Sequence, residues 1–371
     1  MNKILTYLIV IASLFGFTSC SSIDDDCTPE TPEKVEGNFF MKLTNLAGKT
    51  LDGSDKCDNV LLMVFDSNTG DRILQQEVAV NENGETNIIG LPERGTYNYY
   101  LFANTDFAGT QFKLVLDGIK NDKDFDKLRN VKIATDSYTP YTLTNNRVLL
   151  YASYFNLEVP SASGTSVENP WKLNANLTRG VAKIAVKFYQ NSNLVGTNKV
   201  KSVKVRNVGS MIYAPTTGKY AELTADKIDL VYNEDEIESR FDYTKDVVGS
   251  IVFYVPEMLY KAETNNANRT SLEVQIDDTV HKFKIKTKAL AIRNYLNLKG
   301  FHLNYDKIGP AFLNLNSILR EMSYEFRIKL EDIDDSHLAV TEWDREDGDD
   351  TNFIISPIED FEDVEIPGVR P

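Results

Sequence analysis

Cys20 is the first residue with chemistry to offer. It follows Phe17-Thr18-Ser19 and closes a stretch that opens with one cation, Lys3, and runs apolar from Ile4 to Phe17. A short basic start, an apolar core and small residues before the cut mark an export signal. A cut directly before a cysteine makes that thiol the new N-terminus, where it can carry acyl chains. The alternative is a plain spanning anchor. The apolar run of fourteen residues would rise only about 21 Å as a helix, short of a hydrocarbon core of ~30 Å. Phe17 stands where the commonest signal of this type has Leu. Each buried methylene contributes about 0.8 kcal/mol, and stable anchoring takes more than one chain. Residues 1–19 therefore read as a lipoprotein signal peptide, with a palmitate-type lipid on Cys20 and the mature protein held at a membrane that no segment spans.

Other reactive constellations do not assemble. His281, His302 and His337 lie far apart, and no pair has the His-Glu-x-x-His spacing of a metal site. No Gly-x-Ser-x-Gly elbow, phosphate loop or dinucleotide fingerprint occurs. Asp344-Arg345-Glu346-Asp347-Gly348-Asp349-Asp350 is dense in carboxylates but lacks the spacing of a calcium loop, and reads as a solvated acidic turn. With 55 acidic residues in the chain, a carboxylate pair for sugar hydrolysis discriminates nothing. The reading is a non-enzyme with no catalytic residue, metal or cofactor. The remaining thiols, Cys27 and Cys57, are a candidate disulfide in an oxidising compartment, or two free thiols.

The elements that would carry any site are mostly strands. The chain has 371 residues, enough for two domains, and a formal net charge of −15, which argues against nucleic acid as a partner. Eighteen Tyr and nineteen Phe, with many Val, Ile and Thr, favour β structure. Asn38 to Leu43 is a short strand. Asn59 to Phe65 is nearly continuous apolar, as in a strand buried on both faces. Arg72 to Val80 returns after a turn, Asn83-Gly84 signals a hairpin, and Gly95 to Asn104 is another strand. Phe125 to Val131 reads as a short helix and Asn146 to Tyr154 as β. Residues 160–170, rich in Ser, Gly and Pro, suggest a domain boundary. Beyond it, Ala182 to Phe188, Lys199 to Asn207, Val247 to Val255, Ser271 to Ile276, Val280 to Lys286, Asn294 to Tyr305, Tyr324 to Leu330 and His337 to Trp343 all carry strand character, and Phe312 to Met322 reads as one or two helical turns.

These signals give an all-β chain. Its expected plan is an acidic tether at 20–36, an N-terminal β-sandwich at 37–160, a linker at 161–170, a C-terminal β-sandwich at 171–343 and an acidic tail at 344–371. Short helices sit in loops.

Several segments, in order, resemble the fimbrillins, the type V pilins of Bacteroidales. They are Val35-Glu36-Gly37-Asn38; Val60 to Phe65 with its turn; Leu91-Pro92, Gly95-Thr96-Tyr97 and Ala103-Asn104; Leu177-Thr178-Arg179-Gly180-Val181-Ala182-Lys183-Ile184-Ala185-Val186; Ile292-Arg293-Asn294-Tyr295-Leu296-Asn297-Leu298, where Leu296 departs from the usual pattern; and Val340-Thr341-Glu342-Trp343. The acidic run Ser21 to Asp26 resembles the export tag of Bacteroidetes surface lipoproteins, and Asp278-Thr279-Val280 resembles their O-glycosylation acceptor.

The resemblance implies two tandem transthyretin-like sandwiches assembled by donor-strand exchange. A precursor's first strand fills a groove in the N-terminal domain, a protease, typically Arg-specific, removes it, and C-terminal strands of a neighbouring subunit replace it. On this chain Phe39, Met41 and Leu43 would be the removable plug. Tyr324, Phe326, Ile328 and Leu330, with Leu338, Val340 and Trp343, would lie on the donor strands. The first arginine is Arg72, beyond the second strand, so an Arg-specific cut cannot free the plug alone. Between 44 and 59 only Lys49 and Lys56 offer candidate processing sites. A subunit that keeps its plug and lipid would root or cap a fibre, so the expectation leans to an anchor or accessory subunit with a role in adhesion. Its partners would be other pilin subunits, the outer membrane through the lipid, and a host or bacterial surface ligand. The rival is a surface glycan-binding β-sandwich lipoprotein, whose aromatic platform would have to draw on Trp171, Trp343 or Tyr.

Overall fold

The computed structural model describes residues 38–46, 48–130, 147–191, 198–209, 227–258, 269–285, 318–342 and 352–355. The chain divides into two units, Met1–Val35 and Glu36–Pro371. All described residues lie in the second.

Six strands form the first sheet: β1 (Phe39–Asn45), β2 (Asn59–Asp66), β3 (Arg72–Ala79), β4 (Gly95–Ala103), β5 (Leu150–Val159) and β6 (Trp171–Arg179), in the order β1-β6-β5-β4-β2-β3. Residues 80–89 close the two edges toward one another. Val80 bridges to Thr86, while Phe39 bridges to Ile89 and Lys42 to Glu85. Helix α1 (Thr110–Asp117) and a 3-10 segment, Asp122–Asn130, cover one face through Phe112, Leu116 and Phe125. The Phe125 ring sits 4.2 Å from Tyr100 and 5.5 Å from Phe65. Cover on both faces explains why β4 is buried from Tyr97 to Ala103.

The remaining strands are β7 (Val181–Tyr189), β8 (Val200–Gly209), β9 (Lys227–Tyr232), β10 (Val247–Pro256), β11 (Ser271–Ile276), β12 (Thr279–Lys284), β13 (Met322–Lys329), β14 (Ser336–Glu342) and β15 (Asn352–Ile355). They build a five-stranded sheet, β10-β7-β13-β14-β15, and a four-stranded one, β12-β11-β8-β9. Rings from the two sheets meet: Phe253 is 5.1 Å from Tyr232, and Phe326 is 6.4 Å from Phe283. Helix α2 (Glu234–Glu238) starts at a capping box, with Asn233 and Glu236 bonding each other's backbone N–H.

The architecture is all-β, as the sequence predicts. The boundary is not where composition puts it. Residues 161–170 join β5 to β6 inside the first sheet, and the change of sheet falls at Gly180, between β6 and β7. Among the described residues no helix is long and apolar enough to cross a membrane.

Candidate functional site

The first strand occupies a slot. Along β1 burial alternates, and Phe39, Met41 and Leu43 are fully buried while Lys42 is exposed. The period-two pattern of apolar and polar residues dictates this, since successive side chains leave opposite faces. One edge of β1 pairs in parallel with β6, from Phe39 opposite Trp171 to Asn45 opposite Leu177. The other edge bonds the closing segment. Phe39 and Ile89 exchange N–H···O bonds of 2.9 and 2.8 Å, Thr86 N–H donates to Met41 O at 2.9 Å, and Leu43 N–H donates to Gly84 O at 2.7 Å. The Thr86 hydroxyl accepts from Met41 N–H at 2.9 Å and donates to Met41 O at 3.2 Å. Gly84 is required at this wall. Its φ is +76°, and a Cβ there would stand 2.4 Å from the Leu43 carbonyl oxygen.

These walls read main chain, so selectivity belongs to the side-chain pockets. Phe39 packs 4.8 Å from Trp171 and 5.8 Å from Tyr99. Trp171 thus packs against β1 rather than lying open as an aromatic platform. Burial pushes the Tyr99 hydroxyl well above its ordinary pKa. Fully burying each of Phe39, Met41 and Leu43 contributes about 1.5–3 kcal/mol.

The loop after β1 is exposed at residues 48–50, then stitched down. Lys49 lies in the exposed part, in a turn where Asn45 Oδ1 accepts from Lys49 N–H at 2.9 Å. Lys56 is exposed too, but its carbonyl accepts from Asn104 Nδ2 at 3.1 Å, and Val148 N–H donates to Ser54 O at 2.8 Å. Asn104 itself has φ +56°, a conformation that suits Asn, and its amide also reaches Val148 O at 3.0 Å. Arg147 pairs with Asp58 at 2.7 Å and holds that carboxyl below its usual range. Cys57 is a free, buried thiol whose pKa burial raises to about 12. Cys27, its candidate disulfide partner, lies outside the described residues.

Between these residues lies a buried charge cluster. Arg179, at the end of β6, donates from Nε to Asp55 Oδ1 at 2.8 Å and from Nη2 to Asp55 Oδ2. Its Nη1 reaches Glu321 Oε2 at 2.7 Å, and its backbone N–H donates to the other oxygen of Glu321. All three side chains are 5% exposed or less. Glu321 sits just before β13 at φ +63°. A second buried pair, Arg320 with Glu257 at 3.1 Å, places its guanidinium 5.5 Å from the Tyr151 ring of β5. Sequence reasoning missed both clusters, because their members are separated by more than a hundred residues or hidden among ordinary surface charges.

The candidate donor strands are built into their own sheet. β13 lies between β7 and β14, paired along both edges. Tyr324, Phe326 and Ile328 are fully buried, Leu330 nearly so, and Leu338 and Val340 pack in the same core. An interior strand is not free to be given away without opening the sheet on both sides. Cys20, Cys27, His302, residues 292–298, Trp343 and the acidic run 344–350 lie outside the described residues. His281 and His337 are half-exposed strand residues. Thr279 is exposed at the β11–β12 turn. Among the described residues no group of three or more His, Cys, Asp or Glu could hold a metal ion.

The chain superposes on the tip fimbrial protein Mfa3 of Porphyromonas gingivalis, in a form with a C-terminal truncation. The TM-score is 0.55 at 17% identity, over 82% of this chain and 99% of that one. The two share a fold. A fimbrial assembly protein from Parabacteroides distasonis is also similar, with a TM-score of 0.45 at 11% identity, covering 86% of this chain and 98% of that one. No protein-family model matches the chain, and no curated protein matches it in sequence. The fold of a fimbrial protein is thus shared at 17% identity, in keeping with the ordered resemblance read from the sequence.

Proposed function

We propose that this chain is a structural subunit of a surface fimbrium with a role in adhesion, an anchor or accessory unit at a fibre end rather than a stalk subunit. A lipid on Cys20 holds it at the outer membrane. The observation that carries the reading is the slot. An N-terminal strand with three fully buried side chains, Phe39, Met41 and Leu43, is bonded along both edges and joined to the body by one exposed turn. Such a strand can be exchanged in principle for another of the same alternation, which is how a subunit accepts a neighbour.

Two features favour an end position. The slot is already filled by the chain's own strand, and β13 is interior to its own sheet, which opposes donation. The fimbrial tip protein that shares the fold is in keeping with an accessory role. The glycan-binding reading loses its best aromatic, since Trp171 packs on Phe39. Immunogold labelling of fimbriae sheared from the producing cells tests the proposal. Label at one end of each fibre is expected. Label along the whole shaft would make the chain a stalk subunit, and fibres without label would remove it from the fimbrium.

A further inference from the structure

We infer that Asp55, Arg179 and Glu321 form a lock that decides whether the first strand can leave its slot, and that the side of Asp55 on which the loop is cut sets the outcome. The inference rests on the slot reading above. Asp55 belongs to the loop that follows β1, and Arg179 ends β6, the strand β1 pairs with; both lie in a first body built on the six-stranded sheet, whereas Glu321 lies just before β13, in a second body built on the five- and four-stranded sheets. The Asp55 carboxylate takes two guanidinium bonds from Arg179, whose third arm is held by Glu321. Glu321 is fixed in turn by its N–H to Val181 O at 3.2 Å and by the bond from Arg179 N–H. The loop after the first strand is thereby tied to both bodies through one buried cation.

Removing one partner from such a cluster strands a charge without solvent, which is far costlier than losing a surface pair. A cut in the exposed turn at residues 48–50 leaves Asp55 with the body. The freed fragment then keeps its strand bonds, its buried side chains, the Thr44–Asn176 bond of 2.7 Å and the surface pair Lys42–Glu85, but no bond to Arg179. A cut after Lys56 leaves Asp55 on the fragment, which cannot leave without breaking the buried pair. Lys49 and Lys56 are both exposed, so accessibility alone does not separate them; the lock does. Exchange follows a cut at Lys49, and retention follows a cut at Lys56.

The test uses the full chain with a recognition sequence for a site-specific protease inserted at Lys49 in one version and at Lys56 in another. After nicking, release of the N-terminal fragment is followed by gel filtration, and uptake of a labelled peptide spanning residues 36–49 by fluorescence polarisation. The fragment cut at Lys56 should dissociate at least about 100-fold more slowly than the one cut at Lys49. Asp55→Asn in that version should largely abolish the difference. Glu321→Gln, which weakens the lock without touching the loop, should do so in part. Equal dissociation from the two nicked proteins would overturn the lock. Unequal release with no peptide uptake by either emptied body would leave the lock standing and count against strand exchange.

Discussion

Gly84, Thr86 and Cys57 show how single residues set the terms of the slot. At Gly84 a side chain meets two obstacles at once, a positive φ and a carbonyl oxygen 2.4 Å from where its Cβ would go. Gly84→Ala should destabilise the fold by about 1–3 kcal/mol, read as a lower urea midpoint with an unchanged slope. Thr86→Val keeps the volume but removes the hydroxyl that serves the N–H and C=O of Met41. It should cost about 1–2 kcal/mol in the same measurement. In the sequence, Asn83-Gly84 reads as a hairpin turn. The structure shows a turn from Asn81 to Gly84 closed by the Val80–Thr86 bridge, and only the fold reveals that the glycine also faces a third strand. Cys57 makes a pH statement. Burial raises its folded pKa to about 12, above an unfolded value near 8.5–9, so the thiol stays neutral in the folded state. Its contribution to stability is full below about pH 9 and is lost as pH rises from there towards 12. In a Cys27→Ser form cut to start beyond Cys20, a thiol reagent at pH 8 should label nothing until denaturant is added. Rapid labelling of the native protein would contradict the burial.

At the scale of elements, β1 is legible and its setting is not. Asn38 to Leu43 reads as a short strand, and the structure gives Phe39–Asn45 with the expected alternation. The continuous apolar run of β2 and the Gly-to-Ala-Asn course of β4 are equally plain, because burial on both faces suppresses polar alternation. Helix α1 and the strands β6 and β9 are harder to see. Thr110–Asp117 is short and carries exposed Leu114, so its apolar stripe is weak. β6 escapes because a Ser/Gly/Pro-rich stretch before it looks like a domain boundary. It is instead the long connection that lets β6 lie parallel to β1 while touching β5 at only Leu150–Arg179 and Tyr151–Thr178. Composition reports a loop, and only register reports which sheet follows it. Phe39 is the side chain on which β1 depends most, wedged between Trp171 and Tyr99. Phe39→Ala should cost about 3–5 kcal/mol and raise hydrogen exchange at Thr86 and Ile89, whose N–H groups donate to β1. Unchanged exchange there would mean that β1 does not hold the slot closed.

Across the whole molecule, the two bodies are joined by continuous core and by two buried guanidinium groups, Arg179 and Arg320, each shared between them. Neither cation is recoverable from spacing, because Asp55, Arg179 and Glu321 converge only once both bodies are folded. Arg179→Met should strand two carboxylates and cost about 3–5 kcal/mol, seen in calorimetry as a transition several degrees lower. No arginine precedes Arg72, so an Arg-specific cut cannot fall in the loop after β1. We propose that the strand and its lipid stay with the mature subunit. Mass spectrometry of the N-terminal peptide from protein recovered at the cell surface tests this most directly. An acylated Cys20 continuous with Phe39 and Lys49 is the predicted result; a new N-terminus between residues 44 and 59 would contradict it and make the chain a polymerising subunit.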